Sequence, residues 1–158
     1  MAELRQELRR KIAAHASNAG AHATAILGLT LYRRTAPSPC YPAMYEPSLN
    51  VFVQGRKRIA LAGATYLCDE STFVLSSIDV PIVSQIVAAS EDVPLLSLLL
   101  KLEMAVVREI LSQAFLGCFC REVGYLATVA DMRNFFAIIS VSTRRSEIAY
   151  YREEMGTS

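Results

Sequence analysis

The sequence predicts a mainly β fold, an antiparallel sandwich or barrel with helices flanking it. Between residues 26 and 100, short runs alternate apolar and polar side chains, and Gly, Pro, Asp and Ser punctuate them at close, regular intervals. Residues 2–16 and the stretch from Glu103 onward follow the helical period instead. The 158 residues are 53% hydrophobic and 20% charged, the composition of a globular protein at the length of one ordinary domain. A domain of that size buries roughly 70% of the surface its unfolded chain exposes, so one core suffices.

From the N-terminus, Leu4, Leu8 and Ile12 recur every four residues among Glu3, Glu7, Arg9 and Arg10, an amphipathic helix with a narrow apolar stripe. Glu7 and Lys11 stand four apart in the order that favours an ion pair. In "AILGLTLYR", Leu27, Leu29 and Leu31 fall on one face of a strand, and Ile26, Thr30 and Tyr32 on the other. Pro37, Pro39 and Pro42 lack the N–H that a ladder needs, so "TAPSPCYP" is expected to be a loop. Leu49, Val51 and Val53 alternate with Asn50, Phe52 and Gln54 as far as Gly55, whose tolerance of positive φ suits a tight hairpin.

Ile59 and Leu61 resume the alternation, Gly63 interrupts it, "ATYLC" continues it, and "DEST" reads as a polar turn before the strand "FVLSS". Beyond "IDVP", Ile82, Ser84 and Ile86 oppose Val83, Gln85 and Val87. "LLSLLLKL" fits a buried strand or a helix segment equally. Met104, Val107, Ile110, Leu111 and Ala114 then line one helical face. Tyr125, Val129, Met132, Phe136 and Ile139 keep that spacing, although "FFAIISVST" alone also fits a strand. Ser146 is placed to cap a last short helix carrying Ile148, Tyr151 and Met155.

Absent features narrow the function. Sixteen Lys and Arg balance fifteen Asp and Glu, and a net charge of +1 builds in no general attraction to nucleic acid or anionic membranes. The N-terminus lacks the apolar core of a signal peptide. "VPLLSLLLKLEMAVV" is broken by Ser97, Lys101 and Glu103, short of the roughly 20 apolar residues of a membrane helix. A soluble cytoplasmic chain, with Cys40, Cys68, Cys118 and Cys120 reduced, is expected.

The two histidines, His15 and His22, read as a solvated helix residue and a linker residue off the sheet, too few for a histidine-built metal centre. Cys118 and Cys120 have neither the spacer nor the second pair of a zinc site. No spacing presents a nucleophile with its base, and the adjacent Asp69 and Glu70 would face opposite sides of a strand. No metal, no cofactor and no catalytic residue are expected. Arg56, Lys57 and Arg58 read as a solvated hairpin tip, and Cys68 as a small buried hydrophobe. Binding remains. Phe52, Gln54, Tyr66, Phe73, Ser77 and Ser84 mix apolar walls with small polar groups, which suits one small organic effector and suits a plain core nearly as well.

Four segments, in order and closely spaced, carry a family resemblance: "YEPSL" at Tyr45 to Leu49, "VQGRK" at Val53 to Lys57, "SIDVP" at Ser77 to Pro81, and "AASEDVPLLSL" at Ala88 to Leu98. Over residues 24–112 the chain resembles the N-terminal domain of AraC-type transcriptional regulators. It departs from that pattern where "DEST" replaces a glycine-bearing turn, and again beyond about Gln113.

The resemblance implies a cupin-like antiparallel β-barrel (double-stranded β-helix) over 24–102, with an N-terminal helix at 2–16 and a helical region at 103–158, all in one regulatory domain spanning 1–158. It also implies effector sensing and homodimerisation. DNA would be contacted only through a C-terminal helix-turn-helix domain, absent from these 158 residues. Met104, Val107 and Leu111 are the candidate dimer stripe, which would pack as readily on the chain's own barrel. Two other readings stay open: an interaction module that forms mixed dimers with a regulator, and a metal-independent cupin isomerase, which would need an acid and a base inside the barrel. Thiol sensing through Cys40 or Cys68 would require a lowered pKa, for which Arg33, Arg34 and Arg58 stand near in sequence.

Overall fold

The computed structural model describes residues 2–107, 109, 136–140 and 148–151. It is mainly β with an N-terminal helix. The elements are α1 (Ala2–His15), β1 (Gly20–Ala23), β2 (Leu29–Arg34), β3 (Tyr41–Tyr45), β4 (Ser48–Gln54), β5 (Arg56–Leu61), β6 (Ala64–Cys68), β7 (Thr72–Ser76), β8 (Val80–Ala88), β9 (Leu95–Lys101), β10 (Phe136–Ser140) and β11 (Ile148–Tyr151). Residues 104–107 are helical, as their spacing predicts.

Among the described residues the strands form a seven-stranded sheet, β1-β2-β9-β4-β7-β10-β11, and a four-stranded sheet, β3-β8-β5-β6, with antiparallel pairing throughout. Phe52, Val74 and Leu95 of the larger sheet pack with Tyr45, Ile59 and Ile82 of the smaller in a single buried cluster, so the sheets lie face to face. Among the described residues hydrogen bonding does not join the two into a closed cylinder, and the fold is barrel-like.

The outer face of the larger sheet is covered by α1. Its narrow stripe is sufficient because Ile12, with Ala16 just beyond the helix and Leu8 a turn earlier, meets Leu31, Val53 and Leu96 on the adjacent strands β2, β4 and β9. Leu4, at the start of the same stripe, stays exposed. Glu7 and Lys11 form the expected ion pair at 2.9 Å.

Several local expectations are corrected. Strand β2 starts at Leu29; Ile26 and Leu27 sit exposed in a turn fastened by Thr24, whose hydroxyl donates to the Ile26 and Leu29 carbonyls and accepts from the Ile26 N–H. His22 is on a strand after all, in register with Leu31. Tyr41 and Pro42 belong to β3, where proline is tolerated because among the described residues β3 is an edge strand, paired on one side only.

Gly55 closes no hairpin, since β4 and β5 lie in different sheets and this residue carries the chain from one to the other. Its φ is +81°, and a Cβ there would stand 2.7 Å from the Leu95 Cα and 2.9 Å from the Ala88 carbonyl oxygen. Phe136–Ser140 and Ile148–Tyr151 are strands rather than helix: β10 pairs along β7, so an available ladder decides a segment whose local pattern fitted both. The other helical expectations within 110–135, 141–147 and 152–158 lie outside the described residues.

Candidate functional site

The unusual chemistry of the interior comes from strand parity. Ile59 and Leu61 point into the space between the sheets, and Lys57, two residues before Ile59 on the same strand, shares their face. Its Nζ donates a hydrogen bond to the Tyr45 hydroxyl at 3.0 Å and lies 5.3 Å from the centre of that ring. Across the β5–β6 ladder Lys57 is in register with Cys68, which is completely buried. Arg34, at the end of β2, places its guanidinium 5.7 Å from the Tyr32 ring centre and near enough to repel the Lys57 charge.

This environment displaces Lys57, Cys68 and Tyr45. Burial lowers the Lys57 ammonium to about 8, with Arg34 adding to the effect and Cys68 opposing it. Burial also pushes the Cys68 thiol up to about 12, against the pull of Lys57 and a hydrogen bond with Thr72. The Tyr45 phenol is raised by burial as well. At neutral pH the cluster therefore holds an ammonium, a protonated thiol and a neutral phenol. The lowered pKa that thiol sensing needs is not met at Cys68, whereas Cys40 is exposed.

Several other buried polar groups are engaged in hydrogen bonds within the fold. Ser76 donates to the Ile78 carbonyl at 2.6 Å, Ser48 to the Glu46 carbonyl at 2.7 Å, and Asn50 to the Ser48 hydroxyl at 3.4 Å. Ser84 reaches the Tyr41 hydroxyl at 3.3 Å. Among the described residues no group of three or more His, Cys, Asp or Glu is arranged to hold a metal ion. No described helix is long and apolar enough to cross a membrane.

Of the six candidate ligand-lining residues, Phe52, Tyr66 and Ser84 lie on the inner faces. Gln54 does not. The β4–β9 register slips between Phe52 and Gln54, and this bulge brings Gln54 opposite Leu96 on the helix-covered side, where it donates to the Pro94 carbonyl at 2.8 Å. Phe73 is on the outer face of β7, between the buried, inward Thr72 and Val74 and in register with Val51. Ser77 sits in the bend after β7. The sequence reading missed Lys57, Tyr45 and Arg34, although the i, i+2, i+4 relation of Lys57, Ile59 and Leu61 already placed the lysine on the core face.

Of the dimer stripe, Met104 and Val107 are half-buried at the start of the C-terminal helical segment, and Leu111 lies outside the described residues. Val107 borders a groove of about 820 Å³ with Leu27, Glu46, Pro47, Lys101 and Val106. Lys101 and Glu46 form an exposed ion pair on its rim.

No curated protein matches this chain. The family model describing the N-terminus of AraC-type transcriptional regulators matches residues 25–137, a span that opens just before β2 and runs through β9 to the start of β10. That match covers well over half of the sequence, and the chain belongs to the family of AraC-type transcriptional regulator N-terminal domains.

Proposed function

We propose that this protein is the effector-sensing domain of an AraC-type regulator, catalysing nothing itself, and that it works as a homodimer in the cytoplasm. A small organic molecule held between the two sheets would favour one arrangement of sheets and flanking helices over another. That difference in affinity would be passed to DNA-binding units carried elsewhere. The observation that supports the reading is the Lys57–Tyr45–Cys68 cluster: a charged amine kept between the two sheets, where a purely structural core would have placed a hydrophobe. About 1.4 kcal/mol of coupling is enough for a tenfold change in promoter binding.

The test is a thermal unfolding screen of the 158-residue chain against sugars, amines, organic acids and aromatic metabolites. A ligand at 100 times its Kd adds about 2.7 kcal/mol and raises Tm by several degrees. If no compound in any class moves Tm, the sensing role is lost. The dimer is tested separately by sedimentation: Leu111→Glu is expected to give monomers, and an unchanged dimer removes that helix face from the interface.

A further inference from the structure

Two cations, Lys57 beside Tyr45 and Arg34 beside Tyr32, stand near enough to repel each other, and among the described residues neither is ion-paired. Among the described residues the ion pairs are Lys11 with Glu7 and Lys101 with Glu46, and neither involves Lys57 or Arg34. Asp69, a carboxylate close enough to act on Cys68, is spent on its own turn, accepting from the Ser71 N–H at 2.8 Å and from the Ser71 hydroxyl at 2.6 Å. Lys57 uses one of its three donors on a neutral phenol, and Arg34 bonds the Arg33 carbonyl. Two like charges held together and partly removed from water are unfavourable until a negative group joins them.

The remaining surroundings say what else that anion carries. Next to Lys57 on the inner faces stand Ile59 and Ile86, with Leu95 facing them from the other sheet, so the body of the ligand meets hydrocarbon. The inward hydroxyls of Ser48 and Ser76 are bound to backbone carbonyls and that of Ser84 to Tyr41, so these groups are already engaged rather than free to specify a polyol. Resting on the sensing role proposed above, we infer that the effector is a small organic acid, its carboxylate paired with Lys57 and Arg34 and its apolar body lying against the inner sheet faces.

Calorimetric titration of the full chain at pH 7 with butyrate, hexanoate, octanoate and benzoate, beside octanamide, 1-octanol and inorganic phosphate, tests this. At least one acid is expected to bind, with the matching amide or alcohol weaker by tenfold or more and phosphate weaker still. Lys57→Met, confirmed as folded by circular dichroism, should lose at least tenfold in acid affinity. Lys57→Arg should retain most of it, and Arg34→Met should lose a smaller factor. Because the ammonium is the binding form and titrates near 8, affinity should also fall as pH rises from 7 to 9. Equal binding of octanoate and octanamide, unchanged binding by Lys57→Met, phosphate binding as well as the acids, or no acid binding at all would overturn the inference. If a neutral compound raises Tm in the broader screen while every acid fails, the choice of ligand is wrong and the sensing role stands; if nothing binds in either experiment, both fall.

Discussion

The two faces of the larger sheet are built on opposite principles. Toward α1 the buried centre is aliphatic, formed by Ile12, Ala16, Leu31, Val53 and Leu96, with the polar Gln54 and Arg33 hydrogen-bonded beside it. Toward the smaller sheet, Phe52, Val74 and Leu95 share their side with the buried Ser48, Asn50, Thr72, Ser76 and Ser97, and look across at Tyr45, Cys68 and Lys57. The first face is what stability alone would select. The second keeps a charge where water is scarce and gives up some of that stability to do so, while its hydroxyls and amide are largely taken up by hydrogen bonds within the fold.

The variant with the largest expected effect lies where the two interiors meet. Gly55→Ala forces an ordinary residue to φ +81° and drives its Cβ against backbone atoms of Leu95 and Ala88. Strain and overpacking together should cost roughly 4 kcal/mol, read as a lowered denaturation midpoint. Gly63→Ala is the control, with a similar φ of +82° but no atom within 4 Å of the new Cβ, and should cost only about 1 kcal/mol. Equal losses would show that crowding at the crossing contributes nothing.

Ile12→Ala tests the aliphatic face. Ile12 is fully buried, and truncating it should cost about 3 kcal/mol in urea unfolding without altering ligand binding between the sheets. Lys57→Met tests the other face and should have the opposite sign. The folded-state pKa of Lys57 is depressed from 10.5 to about 8, so the native state binds fewer protons than the unfolded chain between those values. Its destabilising contribution is complete below pH 8 and disappears as pH rises toward 10.5. That shift corresponds to about 3 kcal/mol, offset by about 1 for the lost bond to Tyr45. The methionine variant should therefore gain roughly 2 kcal/mol at pH 7, and its advantage should shrink at pH 10. A loss of stability at pH 7 would make Lys57 a structural residue and erase the contrast between the faces.

The smallest effect is expected at Ser84. It is completely buried, but its partner Tyr41 is partly exposed and can turn to solvent. Ser84→Ala should change stability by less than about 1 kcal/mol. A larger loss would mean that the Ser84–Tyr41 bond holds the edge strand in place.

Alternation made most of this fold legible. The β4, β5, β7 and β8 runs and α1 follow directly from periods of two and 3.6, since burial imposes those periods on the residues. The errors arose where a long-range partner overruled a local signal. Pro42 reads as a strand breaker until β3 is known to be an edge, Gly55 reads as a hairpin until β4 and β5 are known to lie in different sheets, and "FFAIIS" satisfies both periods until β7 is there to pair with it. Candidate site residues failed for a smaller reason. A single bulged position at Val53 reverses the parity that put Gln54 beside Phe52, and a one-residue slip in a pleated strand exchanges its faces. Lys57 was overlooked because its basic neighbours Arg56 and Arg58 made the segment look like an exposed turn; on a strand, those two point away from the lysine between them.

Gly55 ties the site to both sheets at once. It is one of several points at which the main chain passes between the sheets, and the atoms crowded where its side chain would stand come from Leu95 in one sheet and Ala88 in the other. A ligand that pulled on Lys57, two residues along, would load this tightly packed crossing first.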